Sequence, residues 1–286
     1  MLRPLCLIPL FLPLGLSLSG HATAGPSADE LDNIFAFKGL VYRQEDDGGN
    51  PEVDEDASVY EGLVLVRHRL NETEAINLRL LGDVISAASY DEAADRAETV
   101  SGATGYNPGR FDIRPGWEYS RSGWSFGTHI SYGQEFAYRS FGAGLRLGRS
   151  LFEGSTVLGL RLQGFSDKVR MIRFDGTKES DEDRDTIGVE FTVTQTLSPT
   201  RVLNASYSYT DQDGFLATSF NAVRVGDEQD FEILPRQRER EALGLRFKQA
   251  LGPHSVETAY RYYEDDWDIN AHTLELTYFH WLATRA

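Results

Sequence analysis

Charged residues at alternate positions of apolar segments are the first candidates for chemistry in this sequence. Arg79 lies between two leucines, and Glu118 lies between Trp117 and Tyr119. Side chains two residues apart point to the same face of a β-strand, so such segments present charge on one face and apolar groups on the other. The residues predicted for the charged face, which would line the interior if the sheet closes on itself, are Arg79, Asp83, Arg114, Glu118, Arg146, Arg161, Glu190, Arg246 and Arg261. Such a face either lines a water-filled passage or pairs its charges across the interior and fills it.

The histidines form no strong catalytic or metal-binding pattern. None of the 6 histidines has the His-Glu-x-x-His spacing of a zinc protease. Two weaker arrangements are His129 with Ser125 and Ser131, and His272 with Asp265 and Asp266. The sequence therefore predicts a protein that is not an enzyme. The alternative is a barrel-embedded hydrolase of the phospholipase or protease type.

Carboxylates are the remaining candidates for metal binding. The single cysteine, Cys6, excludes disulfides and cysteine-based zinc or iron–sulfur sites. Carboxylate oxygens suit Ca²⁺ or Mg²⁺, and the adjacent Asp181, Glu182 and Asp183 are weak candidates for holding such an ion. At an outer surface, cations of this kind would bridge to lipopolysaccharide phosphates. No other cofactor is implied.

The overall charge restricts the partners. Of 286 residues, 44 are Asp or Glu and 28 are Lys or Arg, which gives a formal charge of −16. A nucleic acid backbone requires a basic surface, so nucleic acid is excluded as the main partner. Aromatic residues make up 12% of the chain, and disordered chains contain few of them. The chain is therefore expected to fold.

The first 24 residues have the features of a secretory signal peptide. Arg3 supplies the positive start, an apolar run extends from Leu5 to Leu18, and Ala22-Thr23-Ala24 is a small-x-small cleavage pattern. The run contains two prolines and is shorter than the roughly 20 residues of a spanning helix. Residues 1–24 are predicted to be removed, and residues 25–286 form the mature protein.

The mature chain is predicted to consist of amphipathic strands. Hydrophobicity alternates with a period of two rather than 3.6. The twelve predicted strands are 33–45, 57–69, 74–86, 110–120, 124–133, 139–150, 156–166, 185–197, 201–210, 237–250, 255–263 and 271–282. Their lengths suit tilted strands that cross a bilayer.

The connections alternate between short and long. The short ones lie near 70–73, 120–123, 151–155, 198–200 and 251–254, and the others, of which two are brief, lie at 46–57, 87–109, 134–138, 167–184, 211–236 and 264–270. Outer-membrane barrels have short periplasmic turns and longer external loops, and a sheet can span lipid only when it is closed. The sequence thus predicts an all-β, antiparallel up-and-down transmembrane β-barrel of about twelve strands in the bacterial outer membrane.

Three stretches resemble a known family. They run from Phe37 to Glu45, from Asp83 to Ser89, and from Tyr260 to Leu276. They are similar to an uncharacterised family of Gram-negative proteins that are expected to be outer-membrane β-barrels, and the resemblance covers most of the mature chain. Members are often encoded near a flavin transferase for exported proteins, which implies periplasmic or envelope redox proteins as partners. The family provides no catalytic residue to carry over.

The end of the chain departs from that family, whose members usually continue beyond the strand that matches 271–282. Two interpretations remain open, a truncated product and a complete smaller barrel. The function expected from the sequence is that of a porin-like passive channel or an envelope scaffold, in contact with outer-membrane lipid and lipopolysaccharide. A soluble β-sandwich in the periplasm is the structural alternative.

Overall fold

The described residues fold almost entirely into β-strands. The structure is a computed structural model, and it describes residues 33–44, 57–87, 109–135, 137–172, 178–217, 222–225, 228–231 and 233–280. The predicted signal peptide, the acidic connections at 46–56 and 88–108, and the C-terminal residues 281–286 lie outside these ranges. Within them, no helix has the length and apolar character needed to cross a membrane.

Twelve strands form one antiparallel sheet in which each strand pairs with the next along the chain. They are β1 (Ile34–Gln44), β2 (Ala57–Arg69), β3 (Glu74–Ala87), β4 (Gly109–Arg121), β5 (Trp124–Glu135), β6 (Tyr138–Leu151), β7 (Thr156–Ile172), β8 (Lys178–Ser198), β9 (Arg201–Gly214), β12 (Gln237–Leu251), β13 (His254–Asp265) and β14 (Asn270–His280). A separate hairpin of β10 (Ala222–Val225) and β11 (Glu228–Phe231) lies between β9 and β12 in the chain. The predicted all-β, up-and-down arrangement is confirmed, and the described strands do not form the two packed sheets of a sandwich.

The short connections are tight turns, and their residues explain why. Between β4 and β5, Ser122 and Gly123 have φ values of 50° and 76°, which is the pattern of a type I′ hairpin turn. Between β12 and β13, Gly252 has a φ of 64° at the first central position of the turn, where type II′ turns require glycine. We call this end of the sheet the turn end and the opposite end the loop end.

The strands extend further toward the loop end than the sequence indicates. The predicted connection 167–184 was wrong, because β7 continues to Ile172 and β8 begins at Lys178. Lys168 and Asp183 form an ion pair at 2.7 Å across these two strands, while Val169 and Met171 are buried on the other side of the sheet. The charged residues that indicated a loop are thus cross-strand partners within an extended wall.

The strand register divides the sheet into two chemically different faces. Leu147 lies opposite Leu160, which lies opposite Phe191. One position along the same strands, Arg146 lies opposite Arg161, which lies opposite Glu190. We call the first side the apolar face and the second the polar face.

The apolar face carries a belt of solvent-exposed hydrophobic side chains. The belt crosses the whole sheet and consists of Phe35, Phe37, Val41, Ile76, Val84, Phe111, Ile130, Phe141, Leu147, Leu162, Ile187, Phe191, Leu243, Leu245, Leu274 and Leu276. Soluble monomers rarely expose a contiguous apolar surface of this extent. Few apolar side chains are buried among the described residues, so this sheet does not enclose the core that a water-soluble protein needs.

Aromatic residues border the belt at both ends of the sheet. At the turn end, Trp117 and Phe126 pack edge to face with ring centroids 5.6 Å apart. Toward the loop end, the hydroxyl of Tyr132 donates to Gln134 at 2.7 Å, and the hydroxyl of Tyr262 donates to Glu264 at 2.7 Å. Both bonds point away from the belt, as expected where an aromatic ring meets lipid and its polar end meets water.

Phe165 lies on the polar face and not among the aromatic residues that border the belt. It lies opposite Gly142 and Thr186, and its ring covers Gly142 so closely that a Cβ there would be 2.5 Å from Phe165 Cδ1. The alternation of β7 changes phase near this point, from apolar at even positions to apolar at odd ones. Beyond the belt, the outer side of the wall therefore carries polar side chains and meets water rather than lipid.

The two outer strands of the sheet have one free edge each. Among the described residues, β1 pairs only with β2 and β14 pairs only with β13. Here the polar face is less polar than predicted, because Ile34, Leu40 and Leu65 lie on it and are exposed. Apart from this edge and the part of β7 beyond Gly164, the sheet follows the predicted alternation.

Candidate functional site

All nine residues predicted for the charged face lie on the polar face. Arg79 lies opposite Arg114, and Arg146 lies opposite Arg161, which lies opposite Glu190. Asp83 lies opposite Arg110 and accepts a hydrogen bond from its backbone N–H at 3.1 Å. Farther round the sheet are Arg246, opposite Asn204, and Arg261, whose guanidinium lies 5.4 Å from the ring centroid of Tyr263. The structure therefore brings most of these side chains together across β3 to β8.

Glu118 is the centre of the largest ion-pair group on this face. It contacts Arg67 at 2.9 Å and Arg146 at 3.1 Å, and it accepts a hydrogen bond from Asn77 at 3.1 Å. The sequence analysis missed Arg67. Strand β2 has apolar residues at both phases of the alternation, so its sequence did not indicate which face Arg67 would occupy.

Smaller ion pairs flank this group. Arg79 pairs with Asp112 at 2.9 Å, and Arg161 pairs with Glu190 at 3.2 Å. On β12 and β13, Glu257 pairs with Arg246 at 3.3 Å and with Lys248 at 3.7 Å. The charges therefore pair with neighbours along the wall.

Arg114 has no such carboxylate partner. In the part of the chain that the structure describes, its guanidinium forms neither a hydrogen bond nor an ion pair, and its Nε atom is buried without a partner. The charged groups near it include Asp112, Arg79, Arg146 and Arg161, so three arginines and one carboxylate lie close to it. His129 lies among the same arginines, and its Nε2 atom is also buried without a partner.

Small residues on the polar face leave room for these long side chains. On β6, the positions opposite Ser131 and His129 are Gly142 and Gly144. A Cβ at Gly144 would lie 2.2 Å from His129 Cε1, so the imidazole rests directly on the backbone of β6. The polar side of β9 consists of Asn204, Ser206, Ser208, Thr210 and Gln212. The wall is thus thin and polar rather than filled by large side chains.

Gly144→Ala is expected to destabilise the folded protein by about 1–3 kcal/mol, because the added methyl group overlaps the ring of His129. Gly133→Ala is the matched control on the same face, since its Cβ would be no closer than 3.5 Å to Asp112 Oδ2. The temperature at which the folded band disappears in gel electrophoresis without prior boiling measures the difference. Equal temperatures for both variants would contradict the position of His129.

The proposed acid and histidine arrangement at the loop end is not assembled. Asp265 lies on the polar side, where its carboxylate accepts hydrogen bonds from Tyr263 Oη at 2.7 Å and from the backbone N–H groups of Trp267 and Ile269 at 3.1 and 3.0 Å. It also pairs with Arg238, and its side chain is 0% exposed. His272 lies on the opposite face, with its Nδ1 atom 2.7 Å from Tyr260 Oη. Asp265 therefore fastens the turn between β13 and β14 and does not contact the histidine.

The carboxyl group of Asp265 lies beyond the apolar belt, at the loop end. Burial raises its pKa, but the bonds from Arg238, Tyr263 and Ile269 outweigh that effect and lower the pKa to about 2. The guanidinium of Arg238 also lies 4.3 Å from the ring centroid of Trp267, whose indole N–H donates to the carbonyl of Gln237 at 2.9 Å. The Asp-Asp-Trp part of the family-like sequence is therefore a clamp between β12 and β13.

The second hydrolase arrangement shares a face but not a contact. Ser125, His129 and Ser131 all lie on the polar side of β5, and strand residues four apart are separated by about 13 Å. Ser125 lies over Gly148, whose Cβ would be 2.2 Å from Ser125 Oγ. The nucleophile and base of a hydrolase need hydrogen-bond contact, which these described residues do not make.

The acidic triplet lies within strand β8 rather than in a loop. Asp181 contacts Arg139 at 2.8 Å and Arg170 at 3.0 Å on one face, and the hydrogen bond from Arg170, aided by Arg139, lowers the pKa of the Asp181 carboxyl. Glu182 points to the other face, because side chains alternate along a strand. The three carboxylates cannot converge on one ion, and no metal-binding group of three or more His, Cys, Asp or Glu occurs in the described ranges.

Solved structures similar to this chain include outer-membrane proteins. A loop L8 deletion mutant of OmpT from Vibrio cholerae is 9% identical, with 86% of this chain and 99% of that chain covered and a TM-score of 0.44. An outer membrane channel from Pseudomonas putida F1 is 11% identical, with 86% and 94% covered and a TM-score of 0.45. The beta domain of the Bordetella autotransporter BrkA is 10% identical, with 86% and 97% covered and a TM-score of 0.40.

The search of curated proteins found no match. A family model described as a protein of unknown function, DUF3570, matches residues 20–286. The match includes all three stretches on which the sequence resemblance rested, and it extends over every described strand. The chain belongs to the DUF3570 family.

Proposed function

We propose that this protein is a passive channel of the bacterial outer membrane, exported by a signal peptide that is then removed. One observation carries the proposal: an exposed apolar belt covers one face of a twelve-stranded sheet whose other face is charged. Lipid accepts the first face and water accepts the second. The sheet must curl with the polar face inward, because charged side chains on the lipid face would cost about 2–4 kcal/mol each near the midplane.

A water-filled lumen fits the polar face better than a plugged one. Glycine and serine occupy many polar-face positions of β5, β6 and β9. The guanidinium-bearing side chains of Arg146 and Arg161 are 51% and 40% exposed, so their charged ends reach open space. Barrels of this strand number lie between filled eight-stranded barrels and open 16-stranded porins.

The channel is tested by conductance in planar lipid bilayers. Purified protein whose folded form migrates differently from the boiled form is expected to give discrete unitary currents. Folded protein that inserts into the bilayer and gives no current would overturn the channel. An envelope scaffold would then be the better-supported function, because a scaffold needs the same membrane-spanning wall but no water-filled passage.

The sheet edges make a separate prediction about closure. In hydrocarbon every backbone N–H and C=O must be paired, so β1 and β14 are expected to be protected from deuterium exchange in lipid vesicles as well as the central strands β6 and β7 are. Mass spectrometry of peptides from Ile34–Gln44 and Asn270–His280 measures this protection. Exchange of both peptides within seconds, with β6 and β7 protected, would contradict a closed wall.

The lipid partners proposed for this wall are outer-membrane lipid and lipopolysaccharide. Arg139 lies opposite Lys168 on the apolar side, beyond the belt toward the loop end. Arg170 lies two residues further along the same strand. Their position beyond the belt supports contact with lipopolysaccharide phosphates, and their partners Asp181 and Asp183 would share divalent cations with those phosphates.

A further inference from the structure

We propose that Arg114 and His129, with Arg79, Arg146 and Arg161 around them, form a binding site for a small oxyanion on the polar face. The ligand class is a phosphate or a carboxylate, whose planar or tetrahedral oxygens match the forked donors of guanidinium groups. The role of this site in conduction rests on the proposed channel. The binding itself does not.

The strand register concentrates like charges at this place. Arg79 and Arg114 are direct cross-strand neighbours on β3 and β4, and Arg146 and Arg161 are direct neighbours on β6 and β7. Like charges directly opposite each other destabilise a sheet. Two such pairs lie within five strands, so each arginine here needs a negative charge close by.

The carboxylates nearby are already committed to other arginines. Asp112 contacts Arg79, Glu118 contacts both Arg67 and Arg146, and Glu190 contacts Arg161. Arg114 is left as a cation without a carboxylate contact in the described part of the chain. An anion that contacts Arg114 would therefore supply the direct contact with negative charge that the described residues do not provide.

Two buried nitrogen atoms without hydrogen-bond partners lie on the neighbouring strands β4 and β5. The Nε atom of Arg114 and the Nε2 atom of His129 are both shielded from solvent and without a hydrogen-bond partner. His129 lies opposite Gly116, two positions along β4 from Arg114. Gly144 and Gly127 keep this part of the wall thin, because Gly144 receives the ring of His129 and a Cβ at Gly127 would approach Arg146 Nε to 3.4 Å. Buried polar nitrogens are normally bonded, and an oxyanion supplies several acceptors at once.

Another basic cluster on the polar face provides a comparison, because its cations have a carboxylate in contact with them. On β12 and β13 the same polar face carries Arg246 and Lys248, but Glu257 lies within 3.7 Å of both. That cluster has its own counter-charge and no orphaned donor among the described atoms. Arg246 is thus a matched arginine that should not bind the anion.

Two measurements on the full-length mature protein test the site. The first is calorimetric titration of detergent-solubilised protein with inorganic phosphate at low ionic strength. The second is the reversal potential in a potassium chloride gradient across a planar bilayer, measured with and without phosphate. Wild type is expected to bind phosphate, to favour chloride over potassium, and to lose chloride current when phosphate is present.

Arg114→Met keeps the aliphatic stem and removes the charge and the donors. It is expected to weaken phosphate binding about tenfold or more, because a charge-assisted forked contact is lost, whereas Arg246→Met is expected to leave it unchanged. Arg114→Lys, which keeps the charge and loses the fork, is expected to be intermediate. A heat-modifiable gel band shows that each variant folds, and the lysine variant serves if the methionine variant does not.

The outcomes separate the site from the channel. Phosphate binding that depends on Arg114 supports the site even where no current is found, and the channel alone then fails. Current without phosphate binding, or equal binding by wild type and Arg114→Met, overturns the site and leaves the channel intact. Equal losses in Arg114→Met and Arg246→Met would mean that phosphate responds only to total charge, and this also overturns the site.

Discussion

An arginine in place of Ala205 is expected to destabilise the membrane-inserted protein by about 2–4 kcal/mol, while the same arginine at Ser206 is expected to be tolerated. Ala205 lies on the apolar face between Val193 and Leu245. Ser206 is the next residue and lies on the polar face between Thr192 and Gly244. The two substitutions add the same side chain to small residues of the same strand, so only the face differs.

The difference follows from the solvent that each face meets. A guanidinium among the leucines of the belt has no water and no counter-ion, so its desolvation is not compensated. At position 206 the added side chain enters the lumen, where Gly244 leaves space next to it. Refolding yield into lipid vesicles and the unfolding temperature of the gel band measure the effect. Equal damage at both positions, or greater damage at Ser206, would show that the faces are assigned the wrong way round.

The alternation that decides this assignment was readable from the sequence for most strands. In β6, β8 and β9 a single phase of the pattern is apolar, and the register confirms the assignment of Arg146 and Glu190 to one face. The pattern fails where a strand leaves the belt or borders a free edge. In β7 the phase changes at Gly164 and Phe165, since the part beyond the belt faces water on its outer side and buries Val169 and Met171 on the other.

Individual contacts in the site could not be read from the sequence. Cross-strand partners depend on register, and a shift of one residue exchanges the faces of a strand. The pairing of Glu118 with Arg67 joins strands β4 and β2, which are not neighbours, across β3. Among the described residues, Arg114 lacks a carboxylate contact because Asp112, Glu118 and Glu190 all contact other arginines. Composition shows the arginines, but only the register shows which one lacks a partner.

The role of the acidic segments also could not be predicted from composition alone. Asp181 to Asp183 and Glu264 to Asp266 have the composition of solvated loops, yet the structure uses them as strand residues and as a clamp. What distinguishes them from loops is the basic residues opposite, Lys168, Arg170 and Arg238. Arg238 is 27 residues from Asp265 in the sequence, so a local pattern does not reveal this pair.

The clamp formed by Asp265 and Arg238 is expected to make a large contribution to stability. Asp265→Asn is expected to destabilise the protein by about 3 kcal/mol, because removing one member of a buried ion pair leaves the other charge uncompensated. The carboxylate of Asp265 is fully shielded and accepts bonds from Arg238, Tyr263 and two backbone N–H groups. Asp268→Asn is the matched control on the same turn, since Asp268 makes no recorded hydrogen bond among the described contacts and asparagine tolerates its φ of 60°.

The pH dependence of that effect has a definite sign. The pKa of Asp265 is about 2 in the folded protein against an ordinary value of 3.8, so the folded state favours the ionised form. Its contribution is therefore fully present above pH 3.8 and is lost as the pH falls toward 2. The difference in unfolding temperature between wild type and Asp265→Asn should stay constant from neutral pH to about pH 4 and shrink below it. A difference that disappears already near pH 6 would assign the stabilisation to another group, and equal unfolding temperatures for Asp265→Asn and Asp268→Asn would refute the clamp.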